Sequence, residues 1–245
     1  MARLIPTSTG GRFARLLVGL WLYGATMGFL VEAGLGLDPW DVFHEGVTQI
    51  VPLSFGQVVI LTGAVVMLAW IPLRQRPGIG TLLNVLLIGV AADVTLAWLP
   101  TPDRLGVQIS FLTIGIVGNA LAGALYIGAD FGTGPRDGLW SGIVRRTGLS
   151  IRVVRTSLEV TVLAVGFALG GTVGVGTVLY AVLIGPLVQA FLVLLDGSGS
   201  ASAARGDDEA GVGVDQQLDG DEALVGQPLL ADRVDLTVDD RRPVR

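Results

Sequence analysis

Residues 36–46, GLDPWDVFHEG, and residues 132–142, GTGPRDGLWSG, are two copies of one motif, and the offset between them is 132 − 36 = 96 residues. The same offset relates a second motif further along the chain, in which Gly78, Gly80, Thr81, Ile88 and Gly89 fall on Gly174, Gly176, Thr177, Ile184 and Gly185. A period of this length is too long for a solenoid unit. We therefore interpret the chain as two copies of one membrane-embedded half.

The composition indicates a membrane protein. Of the 245 residues, 51% are hydrophobic and 15% are charged, whereas soluble domains carry about 25% charged residues. Six apolar segments exceed the length of roughly 17 residues that a membrane helix needs: 13–35, 55–72, 79–99, 107–129, 153–171 and 175–195. The predicted fold is an all-α polytopic membrane protein with six transmembrane helices in two inverted three-helix repeats, each with a short interfacial or re-entrant helix.

The distribution of arginine predicts the orientation. With the N-terminus in the cytoplasm, the cytoplasmic segments hold ten arginines and the outer loops hold Arg104 alone, as the positive-inside rule expects. The ten are Arg3, Arg12, Arg15, Arg74, Arg76, Arg136, Arg145, Arg146, Arg152 and Arg155. We expect a multi-pass protein of the bacterial plasma (inner) membrane with both termini cytoplasmic. Its parts would be an N-terminus at 1–12, repeat 1 at 13–99, repeat 2 at 107–195 and a tail at 196–245.

The repeated motif has the form of a helix start. Pro39 suits the first helical position and Asp41 the third, and Pro135 and Asp137 repeat them in the second copy. Residues 40–51 would form a helix of about 18 Å, too short to cross a bilayer. Its apolar face would hold Trp40, Phe43, Val47, Ile50 and Val51, opposite Asp41, His44, Glu45 and Thr48. Two interpretations remain: each motif only starts a short helix, or the two helix starts meet at a site between the halves.

Polar residues within the apolar segments are further site candidates, because they are costly in a membrane. Asp93 and Asn84 lie in the third segment, and their counterparts are Gln189 and Tyr180. For Asp93, a functional role and buried polar packing both remain open. The candidate substrate-binding residues are Asp41, Asp93, Asp137 and Asn84. One turn apart, Arg155 and Glu159 are expected to form an ion pair.

Metal and enzyme chemistry find little support in the sequence. The chain has no cysteine, and its single histidine, His44, which we expect to be exposed, cannot form a multi-histidine metal site. The Gly-x-Gly-Thr motif lacks the lysine of a phosphate-binding loop, so we interpret its glycines, with Gly89 and Gly185, as sites of close helix packing. We expect no enzyme activity, cofactor, metal or nucleic-acid partner.

The motifs resemble those of a known family. The residues that carry the resemblance are Gly36-Leu37-Asp38-Pro39-Trp40-Asp41-Val42-Phe43, then Gly80-Thr81-Leu82-Leu83-Asn84, Ile88-Gly89 and Asp93. They are similar to the YczE/YyaS/YitT family of bacterial integral membrane proteins, in particular its YczE-like branch, over residues 13–195. The resemblance implies a polytopic inner-membrane protein and supplies no substrate or catalytic residue.

These observations favour a small-solute transporter or exporter in which one repeat rocks against the other around Asp41, Asp93 and Asp137. The alternative is a non-transporting membrane scaffold or regulatory factor that acts through the tail. Residues 196–245 hold 5 Arg and 12 Asp/Glu, a net charge of −7, and are predicted to be disordered. The expected partners are the lipid bilayer, an unknown small solute, a second copy in a homodimer that small helix residues would allow, and a protein partner of the tail.

Overall fold

The structure is a computed structural model that describes residues 8–196. The predictions for the first seven residues and for the tail beyond Asp196 therefore lie outside the described residues. Within the described range the chain forms eight helices and no strand, which confirms the all-α class for that range. They are α1 (Thr9–Ala33), α2 (Pro39–Thr48), α3 (Phe55–Trp70), α4 (Ile79–Trp98), α5 (Leu105–Ala129), α6 (Pro135–Thr147), α7 (Ile151–Ala168) and α8 (Val175–Asp196).

The helices follow the repeat of the sequence. α1 to α4 begin at residues 9, 39, 55 and 79, and α5 to α8 begin at 105, 135, 151 and 175, a difference of 96 in every case. The turn after the first helix also repeats: Gly34 ends α1 with φ 63°, and Asp130 ends α5 with φ 56°. Gly36 and Gly132 then adopt φ values of 109° and 118°, which side chains disfavour. Each copy of the first motif thus contains a backbone turn that favours glycine.

Helices occupy all six of the apolar segments predicted from the sequence. Four of them, α1, α4, α5 and α8, are long and apolar enough to cross a membrane. α3 is apolar but has 16 residues, and the 18-residue α7 includes Arg152, Arg155 and Glu159. The total of six crossings remains a prediction.

The equivalent helices α1 and α5 pack against each other in antiparallel fashion. A Cβ atom added to Gly19 near the start of α1 would lie 2.9 Å from the backbone nitrogen of Tyr126 near the end of α5. Reciprocally, a Cβ on Gly115 near the start of α5 would lie 2.5 Å from Leu30 near the end of α1. Because Gly19 and Gly115 are equivalent positions, as are Leu30 and Tyr126, the two halves contact each other through the same surface.

The short helices also form contacts between the halves. α2 packs against α7 and α6 packs against α3, so each short helix lies on the other half. Where α2 crosses α7, a Cβ on Gly166 would lie 2.4 Å from the backbone nitrogen of Phe43 beside Val42. The equivalent crossing reverses the sizes, because Trp70 stands in place of Gly166 and Gly138 in place of Val42. A Cβ on Gly138 would lie 1.9 Å from Cζ2 of the Trp70 ring.

Candidate functional site

The two repeated motifs contact each other across the halves. The backbone N–H of Gly176 donates to the carbonyl of Leu35 over 2.7 Å, and the N–H of Gly80, its equivalent, donates to the carbonyl of Phe131 over 3.0 Å. A Cβ on Gly176 would lie 2.4 Å from the carbonyl oxygen of Gly36. Glycine at these positions therefore permits the loop before each short helix to lie against the start of a long helix of the other half.

The first short helix begins as the sequence predicts. Asp38 precedes Pro39, and its Oδ1 accepts hydrogen bonds from the backbone N–H groups of Trp40 (2.8 Å) and Asp41 (3.1 Å). This arrangement satisfies donors that a helix start would otherwise leave free. The second short helix begins at Pro135 after Gly134, without a side-chain cap. The carboxylate of Asp38 is thus a feature of the first half.

Asp41 and His44 form a buried pair on α2. His44 Nδ1 lies 3.1 Å from Asp41 Oδ1, and the two residues are 6% and 1% exposed. The expectation that His44 is exposed is therefore wrong. The reason is that α2 is covered by α7 and α3, and Phe55 of α3 places its ring 6.0 Å from the His44 ring. In the described part of the chain, no hydrogen bond reaches the buried Oδ2 of Asp41.

Arg136 brings the second half into this cluster. Its guanidinium lies 3.6 Å from Asp38 Oδ1, donates to the Tyr23 hydroxyl over 2.8 Å, and stands 5.8 Å from the centre of the Trp40 ring. Arg136 and Trp40 are equivalent positions, since 136 − 40 = 96. The sequence predicts Arg136 only as one of the cytoplasmic arginines, and this contact was not predicted. The replacement of an aromatic residue by arginine within the repeated motif was the available signal.

The polar cluster continues into the long helices. The Tyr180 hydroxyl of α8 donates to Asn119 Oδ1 of α5 over 2.8 Å, and Asn119 Nδ2 donates to the Thr26 hydroxyl of α1 over 3.2 Å. The same amide lies 3.5 Å from the carbonyl of Tyr23, the residue that occupies the position equivalent to Asn119. Asn119 is not among the residues predicted from the sequence, although an amide within an apolar helix was the available signal. Five helices, α1, α2, α5, α6 and α8, therefore supply polar groups.

Asp137 and Asn84 belong to a second polar group, to which both halves contribute. Asp137 Oδ1 accepts a hydrogen bond from Trp140 Nε1 over 3.3 Å. A Cβ built on Gly134 would have the Tyr126 hydroxyl, Asp137 Oδ2 and Asn84 Nδ2 at 3.2, 3.3 and 3.8 Å. Asp137, Asn84 and Tyr126 thus surround the start of α6. They do not hydrogen-bond to Asp41 in the described residues, so the candidate carboxylates form separate groups.

Asp93 is held by the start of α3. Its Oδ2 accepts from the Ser54 hydroxyl and its Oδ1 accepts from the backbone N–H of Gly56 over 2.7 Å. At this crossing a Cβ on Gly89 would lie 2.4 Å from the carbonyl oxygen of Gly56. The carboxylate therefore joins α4 to α3. The equivalent position in the second half differs, because Arg152 stands in place of Gly56. The expectation that Gly185 packs closely is wrong, since no atom of the described residues lies within 4 Å of a Cβ added there.

The remaining candidate pair lies at the surface. Arg155 Nε and Glu159 Oε1 are 3.1 Å apart, one turn from each other on α7, with side chains 57% and 42% exposed. Exposed pairs of this kind contribute about 0–1 kcal/mol in water.

Burial determines the electrostatics of the Asp38–Asp41–His44 group. Burial, followed by the neighbouring Asp41 carboxylate, raises the pKa of Asp38. Burial also raises the pKa of Asp41, against the opposing effect of Arg136, and it lowers the pKa of His44, which favours a neutral imidazole. With both aspartates ionised, the two carboxylates face one guanidinium, and the cluster carries an excess charge of −1.

Comparison with known proteins settles the family. Residues 11–192 match the family described as "Family of unknown function (DUF6198)". The chain belongs to this family. A Haemophilus influenzae relative, named "Uncharacterized protein", is 43% identical over 180 residues, which cover 74% of this chain and 83% of the relative. The Bacillus subtilis "Uncharacterized membrane protein YczE" is 33% identical over 180 residues, covering 73% and 84% of the two chains.

A more distant relative is the Bacillus subtilis "Uncharacterized protein YyaS", 24% identical over 183 residues that cover 73% of this chain and 91% of the relative. No solved structure gives a significant match. These relatives confirm the YczE-like resemblance found in the motifs. Together with the four long apolar helices, they identify the DUF6198 chain as an integral membrane protein embedded in the lipid bilayer.

Proposed function

We propose that this membrane protein transports a small polar solute through a site formed where its two halves meet. The observation that carries the proposal is the contact between Arg136, on the short helix of the second half, and Asp38, at the start of the short helix of the first. Buried ionisable groups in membrane proteins usually serve ions, protons or substrates. Repeat transporters place such sites at broken or short helices between their halves.

The proposed topology has six crossings in two inverted repeats, with both termini in the cytoplasm of a bacterium. The antiparallel packing of α1 and α5 supports it, because these helices occupy equivalent places in the two halves. It is supported further by the constant offset of 96 residues between the starts of equivalent helices and by the arginine distribution. Within this topology α2 and α6 are re-entrant helices, which enter from opposite sides and do not cross.

The chemistry of the cluster limits the class of solute. Two carboxylates, one guanidinium and a neutral imidazole favour a cation, a proton or a small zwitterion over a phosphate. Arg136 retains 38% side-chain exposure, and in this proposal its guanidinium binds the carboxylate of a zwitterion. Transport would require the Asp38–Arg136 contact between the halves to open and reform as one repeat rocks. We propose transport and no catalysis.

The test is solute profiling of cells that lack the protein, express it, or express the Asp41→Asn variant. Asp103→Asn, at an exposed position, is the matched control, and immunoblots of membrane fractions check that all variants reach the membrane. We expect one or more polar solutes to change with expression and to return to the baseline in Asp41→Asn but not in Asp103→Asn. Unchanged solute pools and unchanged uptake of labelled solutes on expression would refute transport.

Removal of residues 197–245 separates transport from the scaffold alternative. A transporter should keep its flux when these residues are deleted and lose it in Asp41→Asn. If deletion abolishes the cellular effect while Asp41→Asn preserves it, the protein acts as a scaffold or regulatory factor and the proposal fails.

A further inference from the structure

When both are ionised, Asp38 and Asp41 lack the proton that a hydrogen bond between their carboxylates would need. Asp38 and Asp41 share one helix start, where Asp38 Oδ1 accepts from the backbone N–H of Asp41 over 3.1 Å. Two ionised carboxylates only accept hydrogen bonds and cannot bond to each other. Among the residues that the structure describes, the buried Oδ2 of Asp41 has no hydrogen-bond partner. A single added proton converts the pair into a donor and an acceptor. It also removes the penalty of a buried acceptor without a hydrogen bond.

The charges around the pair also favour one added proton. Asp38 and Asp41 contribute −2 and Arg136 contributes +1, so the group carries −1 until it gains one positive charge. The other titratable groups that act on the pair are Glu45 and His44 on α2, Tyr23 on α1 and Tyr180 on α8. Of these, Glu45 is already bonded to the backbone N–H of Thr172. The helices α3 and α7, which also cover α2, present Phe55 to His44 and Gly166 to Phe43.

We propose that Asp38 and Asp41 together hold one exchangeable proton, and that this pair is the ion-coupling site of the transport cycle. On uptake, a proton from water binds to Asp41 Oδ2, the new O–H group donates to the Asp38 carboxylate, and the cluster becomes neutral. On release, the proton passes to water and Asp41 regains its negative charge. The inference deepens the proposed function, on which its coupling role rests, by naming the ion.

His44 is the neighbour that tolerates both states of Asp41. With Asp41 ionised, Nδ1–H of the neutral imidazole donates to Oδ1 over the observed 3.1 Å. With the proton on Oδ2, Oδ1 remains an acceptor, so the same Nδ1–H donates to it in both states. The pair of Asp41 and His44 therefore needs no change of side-chain position when the proton count changes. A lowered pKa keeps the imidazole neutral, so the added charge resides on the carboxyl pair.

Infrared spectroscopy of the full chain in lipid nanodiscs tests the proton directly. A protonated carboxyl gives a C=O stretching band that shifts on deuteration, and ¹³C-labelling of aspartate assigns the band to this residue type. We expect the wild type to show such a band at neutral pH with the intensity of one carboxyl per chain, and to lose it as the pH rises. Asp41→Asn and Asp38→Asn should each abolish it, and the exposed Asp103→Asn should retain it.

Three results would overturn the proposal. The wild type could lack an aspartate band at neutral pH, which needs no variant to observe and so does not depend on variants folding. The band could persist in Asp41→Asn. The titration midpoint could shift when sodium replaces N-methylglucamine at equal ionic strength, which would assign the negative charge to a metal-cation site; we expect an unchanged midpoint.

The spectroscopic test is independent of transport. If the proton is found but no solute moves in the cell assay, the coupling role and the transport proposal fail while the protonation site stands. If solute moves but the wild type lacks the band, transport stands and its coupling to a proton at this pair is wrong.

Discussion

Replacing Gly138 with alanine tests the contact between the halves at the crossing of α3 and α6. The added Cβ would lie 1.9 Å from Cζ2 and 2.4 Å from Cη2 of Trp70, far inside van der Waals contact. Trp70 is 3% exposed, so its ring cannot move into an open space. Overpacking of this kind costs about 1–3 kcal/mol. A displaced ring also loses the 3.1 Å hydrogen bond from Trp70 Nε1 to the Pro135 carbonyl, which contributes about 1 kcal/mol.

We therefore expect Gly138→Ala to lower the free energy of unfolding by about 2–4 kcal/mol, the sum of these two effects. The assay is unfolding in mild detergent by added SDS, followed by far-UV circular dichroism. Gly185→Ala is the control, because no atom of the described residues lies within 4 Å of a Cβ added there. It should change the free energy by less than about 1 kcal/mol. In a Trp70→Phe background, which removes the clashing atoms, Gly138→Ala should cost less. Equal unfolding of Gly138→Ala and Gly185→Ala would refute the packing argument.

Three further predictions concern polar groups. Tyr180→Phe should destabilise the protein by about 1–3 kcal/mol because it leaves the buried Asn119 carbonyl oxygen without its donor; SDS unfolding checks this, and an unchanged midpoint would contradict it. Arg155→Gln, which breaks the exposed pair with Glu159, should cost less than about 1 kcal/mol in the same assay. The pKa of Asp41 is raised in the folded protein. The free energy of unfolding should therefore fall as the pH rises from the usual carboxyl range through that raised value. Thermal unfolding at a series of pH values should show a smaller fall in stability for Asp41→Asn than for the wild type.

The repeat made much of the fold predictable. The predicted segments 107–129 and 175–195 correspond closely to α5 and α8, because long uncharged stretches carry a strong signal for helices in lipid. The starts of α2 and α6 at Pro39 and Pro135 followed from the chemistry of helix starts. Local signals of this kind need no knowledge of which segments come into contact.

The site was harder to predict from the sequence because it depends on contacts between residues that are distant in the chain. The helical pattern of α2 separated Asp41 and His44 from the apolar face, but the pattern alone does not say which face is covered. α7 and α3 cover the helix, so the polar face became interior. Similarly, the sequence places Asp93 in an apolar helix, and only the packing of α4 on α3 shows its bonds to Ser54 and Gly56.

Contact between equivalent positions also bears on how such a protein can evolve. Trp40 stands beside Arg136, and Tyr23 lies beside Asn119. In an ancestor assembled from two identical half-length chains, each of these positions would meet its own copy, because a symmetric dimer presents the same residue twice. An arginine there would face a second arginine. Duplication and fusion of the gene remove that constraint, and the cation of one half can then face an aromatic ring and the carboxylate of Asp38 in the other.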